Sequence, residues 1–222
     1  MEKKVTNMKT VSYTQKVLNV WAVILILWSI YRAKLALPEW FDEFIAKPLI
    51  FILPVYLFIR KVEKGNFFSK IALRKENSIR EFYYAIFIGI SLLFVVIVAK
   101  LAQQEELAVN TKTILYAFAQ FPFVFATAFS EEILARGFIL KRLYGESHNI
   151  ITSTFVASIL FLIIQIPILF TNLNLTGNLI VLFIITDLIL SFANSFIFLY
   201  RRSLIVPIFV HAFYNLILLL AL

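Results

Sequence analysis

The chain has no cysteine in its 222 residues, which excludes a disulfide framework, a thiolate metal site and a thiol nucleophile. Charge is scarce as well: Asp, Glu, Lys and Arg make up 15%, against about 25% in a soluble domain. Histidine occurs twice, and no His-Glu-x-x-His zinc motif is present. What fills the sequence is apolar. Hydrophobic residues reach 61%, with 24 Phe, and the mean hydropathy is +0.89, a surface that lipid rather than water must cover. A water-soluble globule is excluded, and the expected class is all-α, a polytopic membrane helix bundle. The net charge of +8 comes from basic residues scattered between apolar runs. They form no single stripe with interleaved aromatics, so no nucleic-acid partner is expected.

A spanning helix needs about 20 mostly apolar residues. Seven stretches qualify or come close, near Val17 to Leu37, Ile45 to Ile59, Phe82 to Ala99, Thr113 to Leu140, Ile150 to Phe170, Leu179 to Leu199 and Leu204 to Leu222. The second is short, holds Pro48 and Pro54, and reads either as a span or as a re-entrant segment. The basic N-terminal stretch precedes an apolar run interrupted by Trp21, Trp28 and Arg32, without a small-residue cleavage site; it reads as a retained first helix. A cytoplasmic N-terminus places fifteen Lys and Arg inside: Lys3, Lys4, Lys9, Lys16, seven from Arg60 to Arg80, Lys141, Arg142, Arg201 and Arg202. It leaves five outside: Arg32, Lys34, Lys47, Lys100 and Lys112. This asymmetry follows the positive-inside pattern. The connection from Arg60 to Glu81 lacks clean helical spacing of Ile71 and Leu73 and reads as a basic loop rather than a lipid-binding helix. One membrane domain over residues 1–222 is expected, generic up to residue 112.

Packing alone does not explain a set of polar residues inside these runs. The fourth stretch contains AFSEEILARGFILKR, which puts Glu131, Glu132 and Arg136 within an apolar helix. At roughly 2.5 to 3.5 kcal/mol for each central charge, they must be paired or hydrated. Glu132 and Arg136, four apart, share a face, while Glu131 turns about 100° away; one Glu can neutralise Arg136 and the other is left free. A carboxylate left without a partner in such a place suits general-base work; the alternative is a buried ion pair with the second Glu snorkelling toward the surface. In the last stretch His211 and Asn215 are again four apart and share a face, either as interhelical hydrogen-bonding groups or as donors to a developing oxyanion. Asp187 in the sixth stretch is a further intramembrane acid, a functional-site hypothesis by default, or a group bonded to Asn194 or Thr186 faces. His148, in the sequence GESHN, reads as a solvated loop residue.

EEILAR at Glu131 to Arg136, FLIIQ at Phe161 to Gln165 and HAFYN at His211 to Asn215 resemble, in order, the Glu-Glu-x-x-x-Arg, Phe-x-x-x-His and His-x-x-x-Asn motifs of the CAAX protease and bacteriocin-processing (Abi) family of intramembrane endopeptidases. The resemblance runs from about Phe121 to the C-terminus. It implies a proteolytic core in which Glu131 activates water, His211 and Asn215 stabilise the oxyanion, and Glu132 pairs with Arg136. It departs at Gln165, where the family has a histidine. A glutamine amide orients water but takes up no proton at neutral pH. The resemblance leaves two readings, a Glu-dependent endopeptidase and a catalytically silent member serving as an immunity or scaffold protein. The intramembrane acids such as Asp187 add a third, a small transporter, from which the ordered motifs separate the first two. No cofactor is required by the Glu-dependent route. A divalent metal stays open because the family has been described in both ways, although no metal is predicted here. The expected partners are the lipid bilayer and a hydrophobic or membrane-tethered peptide or protein substrate. The implied cavity lies between the fourth, fifth and last stretches and opens toward the cytoplasm. The expected location is a bacterial plasma membrane.

Overall fold

In the computed structural model the described residues are 12–35, 37–73, 78–102, 111–171 and 177–221. The basic residues Lys3, Lys4, Lys9, Arg74 and Lys75 lie outside them. Helices account for nearly all of the described chain, and no strand occurs there. The elements are α1 (Tyr13–Lys34), α2 (residues 39–63), a single turn α3 (Phe67–Lys70), α4 (Ser78–Ala102), α5 (residues 111–147), α6 (Ile150–Thr171), α7 (Asn178–Arg201) and α8 (Ile205–Ala221). α1, α6, α7 and the first 18 residues of α4 are long and apolar enough to cross a membrane. The protein is an integral membrane helix bundle, with large hydrophobic side chains such as Phe87, Phe94, Phe118 and Ile151 facing outward.

Local chemistry sets the helix ends. Ser12 Oγ accepts the Gln15 N–H at 3.1 Å and opens α1. His148 turns left-handed at φ 52° and closes α5, and the side chain of Asn149 accepts the Thr152 N–H at 3.0 Å to start α6. Arg202, also at φ 52°, closes α7. These are the standard solutions for orphan backbone groups at helix termini.

α2 crosses the bundle and is not re-entrant. It starts beside the C-terminal end of α1, where Asp42 meets Arg32 at 2.7 Å. It ends beside the first residue of α1, where Glu63 accepts the Tyr13 hydroxyl at 2.6 Å. The helix is widened at Asp42–Ala46, Pro48–Ile52 and Ile59–Glu63; the Lys47 N–H reaches back five residues to Asp42 O, and that of Leu53 to Pro48 O. Wide turns of this kind absorb residues that cannot join a regular ladder, as the prolines cannot. Sequence periodicity at 3.6 residues therefore underestimates the length of this element.

Glu63 also accepts Arg142 Nε at 2.9 Å, and Arg201 holds Glu81 with Nε at 3.1 Å, so the basic end of the bundle is cross-tied. Residues 71 and 72 are part of this packing rather than of a free loop: Ile71 is fully buried, and the Ala72 carbonyl accepts the Leu204 N–H at 3.1 Å. α8 packs on α4, α5 and α7, α6 on α7 and α1, and α2 on α5.

Candidate functional site

The polar residues of α2, α5, α6, α7 and α8 meet in the middle of the bundle in two adjoining clusters. The first surrounds Glu132, which is fully buried. Its Oε1 accepts Arg136 Nη1 at 3.0 Å, Asn194 Nδ2 at 3.0 Å and meets His211 Nδ1 at 2.9 Å. Arg136 gives a second hydrogen bond to Ser191 O at 2.9 Å, and Asn194 bonds Pro207 O at 3.1 Å. Phe161 fills the space between: the Arg136 guanidinium lies 4.6 Å over its ring, and His211 meets it edge-on at 5.9 Å. Arg136 lies in a widened segment, Ile133–Leu140, that begins directly after Glu132, and the Lys141 N–H reaches back to Arg136 O. Such bulges recur at functional sites because they re-aim side chains.

The second cluster surrounds Glu131, 2% exposed. Gln165 Nε2 donates to Glu131 Oε2 at 2.7 Å, and His211 Nε2 stands 3.8 Å from the same oxygen. The other oxygen, Oε1, is held by Lys47 Nζ at 3.1 Å. Spacing within α5 leaves free the carboxylate that Arg136 does not neutralise; in the structure that carboxylate, Glu131, is paired. Its cation comes from α2, which local periodicity in α5 cannot reveal. Lys47 also contacts Glu43 Oε2 at 2.8 Å, and that oxygen accepts the Thr127 hydroxyl. The sequence places Lys47 among the outer loop charges; the structure buries it at 3% exposure, because α2 begins six residues before its apolar core. The signal was present in the sequence: a lysine inside an apolar run is a functional-site hypothesis by itself.

A cavity of about 590 Å³ connects these residues to the surface. Glu131, Gln165, His211, Asn215 and Asp187 line it, as do Lys47 and Thr127. Asp187 is 3% exposed, and its Oδ2 has no hydrogen-bond partner among the described residues. Neither expected partner reaches it: Asn194 serves Glu132, and Thr186 bonds its own backbone and accepts the Tyr214 hydroxyl. His148 is exposed at the opposite end.

The lining runs from Glu131 and His211 to the exposed residues Leu37, Glu39 and Leu219, at the end where α1 passes into α2. The basic residues Lys70, Arg142 and Arg201 are at the other end. A cytoplasmic N-terminus and a cavity opening to the cytoplasm are therefore mutually exclusive in this fold. The cavity walls also include α1, α2 and α7 beyond the three stretches expected.

The donor set does not suit a divalent metal. An ammonium already faces one oxygen of Glu131 and an amide N–H the other, whereas a catalytic zinc takes three protein ligands rich in His or carboxylate. Among the described residues no group of three or more His, Asp or Glu is arranged to hold an ion.

No curated protein and no solved structure gives a significant match to the chain. The sequence of residues 111–217, about half of the chain, matches the model of the type II CAAX prenyl endopeptidase Rce1-like family. That stretch runs from the start of α5 into α8 and carries Glu131, Glu132, Arg136, Gln165, His211 and Asn215. Residues 111–217 are thus a region of the Rce1-like family of CAAX prenyl endopeptidases.

Proposed function

We propose that the protein is an intramembrane endopeptidase in which Glu131 activates a water molecule inside the cavity to hydrolyse a hydrophobic or membrane-tethered peptide. The observation that carries this reading is the convergence of Glu131, Gln165, His211 and Asn215 on one cavity that reaches the surface. The water oxygen attacks the scissile carbonyl carbon as Glu131 takes its proton. The C–N bond of the tetrahedral intermediate then breaks, and the proton passes from Glu131 to the departing amine nitrogen. The Gln165 amide, 2.7 Å from Glu131 Oε2, orients carboxylate and water without exchanging a proton. Asn215 offers an amide N–H to the oxyanion. His211 offers Nε2 when the ring is doubly protonated, since its Nδ1 is engaged by Glu132. Preorganised donors of this kind contribute about a hundredfold or more to rate.

Glu132 and Arg136 serve as the ion pair that fixes His211 and the wall of the cavity. With the basic end in the cytoplasm, as the charge distribution favours, substrate reaches the cavity from the outer face of the membrane. A second reading, a silent member that binds rather than cuts, is favoured by one observation: both oxygens of Glu131 are engaged, by Lys47 and Gln165. Cleavage of a quenched fluorescent membrane-peptide library by purified protein separates the two. Turnover by wild type that is lost in Glu131→Ala supports the peptidase; turnover only in Gln165→His establishes the binding protein.

A further inference from the structure

Burying an ammonium at membrane depth costs free energy that only close anionic partners offset. Lys47 has such a partner one turn away on its own helix, Glu43 at 2.8 Å, and that pair alone would neutralise it within α2. Its Nζ nevertheless reaches across to α5 and Glu131 Oε1 at 3.1 Å. Of the other groups at Glu131, Gln165 is uncharged, and His211 is farther off, with its second nitrogen committed to Glu132. Lys47 is therefore the charged neighbour that fixes one oxygen of Glu131 and leaves Oε2 for Gln165 and the reacting water. It is itself held: Glu43 is anchored by Thr127, and the Trp28 ring centroid lies 5.9 Å from Nζ. The wide turn at Asp42–Ala46 sets the direction in which it leaves α2.

We propose that Lys47 is a positioning residue for peptide hydrolysis: the resident cation of the site, supplied from outside residues 111–217, against which Glu131 is aimed and works as base. This rests on the endopeptidase reading. Because the chain has no cysteine, position 47 can be altered uniquely. Lys47→Met should lower kcat on the order of a hundredfold with KM within a few-fold, and Lys47→Arg should keep most of the activity. Lys47→Cys treated with aminoethyl methanethiosulfonate, which restores a positive charge, should recover activity that the neutral methyl reagent does not. In parallel, thermal unfolding of Lys47→Met, Glu131→Gln and the double variant should give a double variant at least as stable as either single one, the sign of a coupled charge pair. Wild type without Glu131-dependent cleavage would sink the peptidase reading, and the unfolding cycle would still judge the pair. Additive unfolding effects, an active Lys47→Met, or equal rescue by the neutral reagent would overturn the role given to Lys47.

Discussion

Glu132 and Arg136 allow a quantitative test of what holds the site together. Arg136→Met removes the guanidinium from Glu132 Oε1 and from Ser191 O, leaving a fully buried carboxylate with only Asn194 and His211 as partners. Breaking one side of a buried pair costs about 3 to 5 kcal/mol. Glu132→Gln is the mirror case: the shape stays and the amide oxygen can still accept from Arg136, but the buried guanidinium is left with no anion, only neutral partners at residue 132, Ser191 O and the face of Phe161. It should cost a similar amount. Removing both charges leaves neither uncompensated, so the double variant should fall short of the sum by roughly 2 kcal/mol, within the range for groups of one network. Reversible unfolding of the four proteins in mixed micelles measures this. Single variants that cost less than about 1 kcal/mol, or a double variant equal to the sum of the two, would refute the buried-network argument.

Two further predictions concern packing and orientation. A Cβ added at Gly89 collides with the ring of Phe213 on α8, so Gly89→Ala should loosen α4 from α8 and cost about 1 to 3 kcal/mol, read as a lower unfolding midpoint; an unchanged midpoint would contradict that close approach. Cysteines introduced into this cysteine-free chain at Glu39, on the cavity rim, and at Gly145, near the basic end, should react with an impermeant maleimide from opposite sides of the membrane, Glu39→Cys from outside. Labelling of both from one side would contradict the transmembrane path drawn between them.

Much of the bundle was legible because lipid imposes long apolar runs on the sequence, and runs such as Ile150 to Phe170 leave little choice of structure. α2 was legible only in part. Its prolines and its charges at Asp42, Glu43 and Lys47 shorten the apolar run, while the wide turns that accommodate them leave no periodic trace. Within the site, the relation of Glu132 to Arg136 is local to one helix and could be read from spacing. The relation of Glu131 to Lys47 spans 84 positions, and that of Asn194 to Glu132 spans 62. Contacts between helices like these depend on how the helices rotate against one another, which a single sequence does not encode in any local pattern. That the cavity opens at the end of the bundle away from the start of α1, so that the two orientation expectations exclude each other, was hidden for the same reason. Its mouth is formed by the start of α2 and the end of α8, elements far apart in the chain.

The central claim is that water activated by Glu131 is added across a peptide bond. Its most direct measurement is mass spectrometry of the products formed from a membrane-tethered peptide by purified protein in water enriched with heavy oxygen. The account predicts one heavy oxygen in the new carboxylate with wild type, and no product with Glu131→Gln under the same conditions. Product that forms equally well with Glu131→Gln, or no product from wild type while Gln165→His cuts, would contradict it.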